Sequence, residues 1–505
     1  MQHANIILDG DYVIGRVDER LYGAFAEHMG RCIYNGLYEP GHPLADADGF
    51  RKDVLKLVRD LGVPVIRYPG GNMVSGFEWE DSVGPVELRP RRLELSRASV
   101  ETNEVGLHEF YSFASKAGSE LIYTVNLGTR GPADARNLIE YTNHTGGTLY
   151  SDMRRKNGRE EPFGIRTWCL GNEMDGYWQI GHKNARAYGE TARETARLMR
   201  MVDPGIELIA VGSSGTDLPT YCGWEMDMLD ECYDQVDYVA FHKYFRNNGT
   251  DRDSFLASSV QLDGMIRTLI AVCDAMKGKK KSKKPLYLSF DEWNVLHRTD
   301  VERFPEQLSM PLDRDRWTVA PPLIEHTYTF EDALCVSFLL ITMLHHADRL
   351  KIACMAQLVN VIAPIMTRVG GPAWTQTIYW PLERFSRYGR GESLRPVIAS
   401  PMGESLQHGP YPLLDAACVR SEDGTLTLFI ASRAREMIET ALDLRCLRHS
   451  KMLLHEVLHH RDPDAGNTET QPGEVVMRPA ETVQPDQGRL LLPVGPMSFH
   501  VIRLG

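Results

Sequence analysis

Two glutamates frame the chemistry this 505-residue chain can do. Glu173 stands in WCLGNEMDG and Glu292 in LSFDEWNV, each just after an apolar run that reads as a buried strand. A carboxylate there is costly to hold unless it is solvated, paired or used. Paired carboxylates suit glycoside hydrolysis, in which one protonates the leaving oxygen and the other attacks the anomeric carbon. Two such groups close together resist both being charged, which keeps a proton on one of them. Other apolar runs also end in polar residues: Glu27, Arg67, Asn72, Asn126, Asn172, His242, Tyr244, Asp291, Gln357 and Asn360. This mixture suits an object covered in hydroxyls. A phosphate site would carry more positive charge, and a metallohydrolase would show His and Asp at ligand spacing. We expect no metal and no cofactor, because the chain lacks a GxGxxG loop and its His345-His346 and His459-His460 pairs lack ligand spacing.

These residues need elements that aim them at one place. Strand candidates are LYGAFAEH (21–28), PVIRYPGG (64–71), LIYTVNLG (121–128), IRTWCLGNE (165–173), IELIAVGSS (206–214), DYVAFHKY (237–244), PLYLSFDEW (285–293) and IACMAQLVN (352–360). Amphipathic stretches such as FRKDVLKLVRDLG (50–62) and ARAYGETARETARLMRMV (185–202) alternate with them at helical period. Eight βα units predict a (β/α)8 barrel over residues 16–384, with every strand end but the fifth offering polar groups to one mouth. Along strand 7 side chains should alternate, so Asp291 should point away from Glu292 and support the barrel wall. Trp178 and Trp293 read as walls rather than hydrogen-bonding groups, and Asn126 and Asn360 as supports behind the site.

Beyond about residue 385 the pattern changes to short strands split by turns: 413–433 with the hairpin signal SEDGT, EMIETALDLRCL, KMLLHEVLHH, EVVMRPAETV and GRLLLPVGPMSFHVIRLG. This predicts a C-terminal β-sandwich of jelly-roll type over 385–505, joined by ANIILDGDYVIG near the N-terminus (1–15). The net charge of −12 disfavours nucleic acid and anionic membrane as partners. The basic run Lys277–Lys284 reads as a solvated loop. No signal peptide or spanning segment is visible, and nine scattered cysteines lack a CxxC pair. The expectation is a cytoplasmic protein with reduced thiols, in which the sequons at Asn143 and Asn248 carry little weight.

The chain resembles the α-L-arabinofuranosidases of glycoside hydrolase family 51, retaining enzymes whose acid/base and nucleophile end strands 4 and 7. The resemblance runs almost end to end, through YGAFAEHMGRCIYNGLYEP, RYPGGN, ETNEVGLHEF, VNLGTRG, TWCLGNEMDG, WQIGHK, LSFDEWNV, TVAPPL, FEDAL, KIACMAQLVNVIAPI and GPAWTQTIYWP. It implies Glu173 as general acid/base and Glu292 as nucleophile. It implies Asn172 as ligand of the sugar 2-hydroxyl, with Glu27, Arg67, Asn72 and Gln357 as further furanose ligands. Tyr244 should then stand near the nucleophile, and His242 near the acid/base. The implied activity is exo-acting release of terminal α-L-arabinofuranose from oligosaccharides, by a homo-oligomer that is typically a hexamer. Two positions depart from the family pattern: Arg97 in SRASVETN and Leu296 after DEWNV stand where an aromatic is common. Both belong to the leaving-group side, and their loss as stacking platforms predicts short or unusual acceptors rather than polymers. Alternatives on the same machinery are a β-D-galactofuranosidase, with extra room near Cys32 and Trp293, and a β-D-xylosidase or endoglucanase. The alternative from another class is a catalytically silent sugar-binding protein.

Overall fold

Parallel strands covered on both faces must be apolar almost throughout, and the runs picked out above are. The computed structural model describes residues 2–247, 249–296, 317–445 and 451–505. Eight parallel strands close into a barrel in chain order: β1 (Gly23–Phe25), β2 (Val65–Tyr68), β3 (Glu120–Thr124), β4 (Thr167–Leu170), β5 (Glu207–Ala210), β6 (Tyr238–Arg246), β7 (Tyr287–Leu296) and β8 (Leu350–Ala356). Every residue of β2 and of β4 is buried. All eight expected strands are present, the (β/α)8 barrel among them, with β6 and β7 longer than the rest.

The surrounding helices form where the periodicity places them. Lys52–Leu61 buries Val54, Leu55, Val58 and Leu61, and stops at Gly62, whose φ of 70° is left-handed. Ala185–Val202 starts behind Asn184, whose side chain accepts from the Ala187 amide. One expectation is corrected. The run Lys277–Lys284 is not wholly a loop, because the helix Ser258–Lys280 continues into it. Exposed carbonyls at a helix C-terminus favour cations, and Lys279 and Lys280 also reach Asp230 (3.1 and 3.0 Å).

The C-terminal strands make two sheets. One has the order Val397–Ala399, Gln2–Leu8, Ile438–Leu444, Arg489–Val494. The other runs Val13–Arg16, Glu392–Leu394, Leu414–Arg420, Leu426–Ser432, Ser498–Leu504, Met452–His459, Arg478–Pro479. The N-terminal segment thus gives one strand to each sheet. In SEDGT the Ser421 amide donates to Thr425 O (2.9 Å) around Gly424, closing the expected hairpin. EVVMRPAETV, read as a full strand, pairs only at Arg478–Pro479. The last residues of EMIETALDLRCL lie outside the described residues, as does Asn248. The helix Tyr379–Tyr388 crosses from barrel to sandwich and stacks Phe385 on Phe429 (ring centroids 4.0 Å apart). Of the eight described cysteines all but Cys222 are buried. No helix among the described residues is long and apolar enough to cross a membrane.

Candidate active site

The turn after β4 and the C-terminal half of β7 bring the two glutamates together. After β4 the chain turns at Gly171 (φ 97°) and holds Glu173 at φ 44°, a backbone region that non-glycine residues seldom occupy. That turn swings the carboxyl over the mouth instead of letting it follow the strand. Trp178 Nε1 donates to Glu173 Oε2 (2.7 Å), and His242 Nδ1 lies 3.1 Å from Oε1. Across the mouth, Tyr244 donates to Glu292 Oε1 (2.9 Å) and Arg67 Nη1 donates to Oε2 (3.0 Å). A carboxylate oxygen of Glu173 lies within 4.8 Å of one of Glu292. That is the close spacing of retaining glycosidases, not the ~6.5–9.5 Å that leaves room for an inverting water.

A β-bulge sets the electrostatics. From Ala240 to His242, β6 advances two residues while β7 advances three, from Ser289 to Glu292. The extra residue breaks the alternation and turns Asp291 inward with Glu292. Asp291 therefore does not face away, as the alternation predicted. Its Oδ2 lies 3.2 Å from Arg67 Nε, and its Oδ1 lies 3.3 Å from His242 Nε2. Burial alone would lower the His242 pKa, but the carboxylates of Glu292, Asp291 and Glu173 outweigh it and raise it to about 10. Near neutral pH His242 is an imidazolium donating from both nitrogens. Burial works against an ionised Asp291, yet Arg67 and His242 keep its pKa below the usual carboxylate range. Burial, reinforced by the negative charge of Glu292, pushes the Tyr244 phenol far up, so it remains a donor to Glu292.

Arg67 also donates through Nη2 to Asn172 Oδ1 (2.7 Å). This fixes the amide so that Asn172 Nδ2, buried and without a protein partner, is left as a donor for a ligand. The opposite wall is built from β1, the loop after β2 and the end of β8. Gln357 Nε2 donates to Glu27 Oε2 (3.0 Å), and the Met73 amide donates to Oε1 (3.2 Å). Burial first, with Arg97 opposing and Glu292 adding, raises the Glu27 pKa to about 7. The glycines of RYPGGN make room for this wall: a Cβ at Gly71 would sit 2.1 Å from the Glu27 carboxyl carbon. With its amide oriented by its neighbours, Asn72 donates to Gln179 Oε1 (2.8 Å) and accepts from both Arg97 terminal nitrogens (3.1 Å each).

All nine residues expected to contact substrate or catalyse thus share one mouth. Trp178 does more than wall the site, since it bonds Glu173, whereas the Trp293 indole is buried with no partner for its N–H. Asn126 binds the Gly128 and Thr129 amides and shapes the loop after β3, and Asn360 binds Thr367 away from the glutamates. Leu296 is fully buried, so it offers no stacking surface. Gln179 escaped the sequence reading because it lies in a loop, nine residues beyond the end of β4 at Leu170. Glu173, His242 and Glu292 are close enough for a metal. The donors do not suit one: the imidazolium has no free lone pair, and a guanidinium already holds Glu292.

Two family profiles match the chain, an α-L-arabinofuranosidase 1 domain over residues 57–263 and an α-L-arabinofuranosidase C-terminal domain over 291–498. It is 50% identical to an intracellular exo-α-(1→5)-L-arabinofuranosidase of Bacillus subtilis, covering 100% of this chain and 99% of that one. It is 44% identical to an exo-α-(1→6)-L-arabinofuranosidase of Bifidobacterium longum, over 100% of this chain and 98% of that one. Among solved structures, a family 51 α-L-arabinofuranosidase from Bifidobacterium longum superposes with a TM-score of 0.95 at 38% identity, with 100% of each chain covered. The arabinose complex of a Thermotoga maritima α-L-arabinofuranosidase gives 0.86 at 30%, with 99% of each covered. The chain belongs to the α-L-arabinofuranosidases of glycoside hydrolase family 51.

Proposed function

We propose that this protein is an exo-acting, retaining α-L-arabinofuranosidase that removes terminal α-L-arabinofuranosyl residues from oligosaccharides. The observation that carries this reading is the close approach of Glu173 and Glu292, each held by a different set of donors. Glu292, oriented by Arg67 and Tyr244, attacks the anomeric carbon while Glu173 delivers a proton to the leaving oxygen. The glycosyl–oxygen bond breaks and a covalent arabinosyl–Glu292 ester forms. Glu173, now a carboxylate, takes a proton from water, which displaces Glu292 and gives arabinose of retained configuration. Asn172 Nδ2 donates to the 2-hydroxyl, a bond that strengthens as the oxocarbenium ion develops. Glu27, Asn72 and Gln357 hold the remaining hydroxyls.

The relatives above carry α-L-arabinofuranosidase names, and both carboxylates are present, so the galactofuranose, xylose and silent-binder readings are not retained. The intracellular name of the Bacillus subtilis relative, shared by relatives from Acetivibrio thermocellus and Halalkalibacterium halodurans, supports a cytoplasmic location for this chain. Residues 16–384 form the catalytic unit in this reading, with 1–15 and 385–505 as its companion, in a homo-oligomer that is a hexamer by family resemblance. Two variants test the roles. Glu173→Ala should keep activity on activated leaving groups and recover about 10²-fold with azide. Glu292→Ala should lose at least about 10⁴-fold on every substrate. Equal losses that azide does not repair would overturn the assignment.

A further inference from the structure

The antiparallel hairpin Arg92–Glu94/Ser99–Glu101 rises beside the mouth and carries Arg97 at its tip. Glu94 builds that tip: its carboxylate accepts from the Ser96 amide (2.8 Å), the Arg97 amide (2.7 Å) and the Ser96 hydroxyl. The hairpin is anchored below, where the Val100 amide donates to Thr318 O (3.0 Å). So braced, the Arg97 guanidinium rests on the Asn72 amide oxygen, and its Nε is buried without a hydrogen-bond partner.

The charges around it are otherwise occupied. Glu27 accepts from Gln357 and Met73. Glu101 is held by His28 and Tyr34 (2.8 and 2.5 Å), and Asp81 by Arg92 (2.6 Å). Among the described residues no carboxylate lies within 4.0 Å of the Arg97 guanidinium. A planar cation whose hydrogen bonds go only to neutral oxygens, the Asn72 amide and the Ser96 carbonyl (3.5 Å), and which Glu27 feels only at longer range, is the natural complement of a carboxylate. Its place is fixed by Asn72, which also bonds Gln179, a member of the loop that carries the proton donor Glu173. Arg97 thus stands where the furanose wall meets the leaving-group loop.

We propose that Arg97 is a specificity-determining residue, which pairs with a carboxylate on the sugar next to the arabinofuranose. The preferred substrate is then an arabinofuranosyl uronic acid rather than its neutral counterpart. This rests on the arabinofuranosidase reading and deepens it. The relatives act on 1→5 and 1→6 links by name, so family membership leaves the acceptor open.

The test uses the full chain and two arabinofuranosyl disaccharides that differ only at C6 of the acceptor hexose, CH2OH in one and COO⁻ in the other. The wild type should favour the uronate about tenfold in kcat/KM at about 20 mM salt, falling towards parity at about 300 mM. Arg97→Gln should abolish the preference mainly by raising KM for the uronate, and Arg97→Lys should retain part of it. 4-Nitrophenyl α-L-arabinofuranoside keeps the two readings apart. If the wild type fails to cleave it, the arabinofuranosidase reading falls. If it is cleaved but the uronate is no better than the hexose, the Arg97 proposal falls alone. Equal losses on both disaccharides in Arg97→Gln would show that Arg97 acts only by holding Asn72, which also overturns it. The wild-type salt dependence decides the matter even where a variant fails to fold.

Discussion

The two ends of the barrel hold similar residues and put them to opposite uses. At the floor, below the N-terminal ends of the strands, a cavity of about 680 Å³ is lined by Arg16, Asp18, Glu19, Arg20, Glu207 and Lys351 among others. There the charges pair off: Arg20 with Asp18 and Glu207 (2.8 and 2.6 Å), and Arg390 with Glu19 (2.8 Å). At the mouth, Arg67, His242, Asp291, Glu173 and Glu292 are almost wholly buried and converge on one point. Volume alone does not make a site. What separates the ends is that the mouth holds charges out of water and aims them, at a cost in stability that only a use explains.

The largest difference should come from removing the central cation at each end. Arg67→Met strands Asp291 and Glu292 without their shared guanidinium and frees the Asn172 amide to rotate. We expect a loss of about 3–5 kcal/mol in urea unfolding and at least about 10³-fold in kcat/KM. Arg20→Met removes ion pairs that are partly solvated and should cost about 1–2 kcal/mol with little change in rate. Comparable stability losses in the two variants would erase the contrast drawn here.

His242 sharpens it through pH. Its pKa is raised in the fold to about 10, above its ordinary value of 6.5. The stability it contributes is therefore complete below about pH 6.5 and is lost as pH rises through about 10. The gap in unfolding free energy between wild type and His242→Gln should narrow steadily across that window. A gap that stays constant from pH 6.5 to 10 would mean that the imidazole is neutral throughout.

Glu27 gives a smaller effect confined to binding. Gln357, the Met73 amide and Arg97 face it, with Glu292 and Glu94 nearby, and its pKa stands at about 7. As a carboxylate it accepts from sugar hydroxyls, so KM for a neutral arabinofuranoside should rise about three- to tenfold as pH falls through 7, while kcat holds. Glu27→Gln should give a KM that is flat over the same range. Titration of kcat instead would move Glu27 into the chemical step.

How much of this was legible follows from where each residue sits. Glu173, Glu292, His242 and Gln357 lie at or near the ends of the apolar runs read from the sequence, although β6 and β7 continue four residues beyond His242 and Glu292, and β-strand runs buried on both faces announce themselves by composition. The inward turn of Asp291 was hidden, because one extra residue between Ser289 and Glu292 is invisible to a rule of strict alternation. The bond from Trp178 to Glu173 and that from Asn72 to Gln179 arise in a loop whose path depends on a left-handed Glu173. Arg97 could be singled out as a departure, but its seat on Asn72 comes from a hairpin too short to stand out from a loop. The family resemblance supplied the roles, and the strand ends supplied the reason those roles could meet.

The smallest expected effect is also the strictest check on the comparison. Lys351 opens β8 at the floor, where its ammonium donates to Ala347 O (2.6 Å) and Arg16 O (3.2 Å) and lies over the Tyr287 ring. Burial lowers its pKa, with Asp18 and Asp348 opposing, which by itself is the signature of a functional lysine. Yet its partners are carbonyls that need a donor, and β8 reaches the mouth only at its other end. Lys351→Met should therefore change kcat/KM by less than about twofold and cost about 1 kcal/mol, the loss of two hydrogen bonds being partly offset by apolar packing. A tenfold loss of activity would show that floor and mouth are coupled along β8, and the division of labour between them would have to be abandoned.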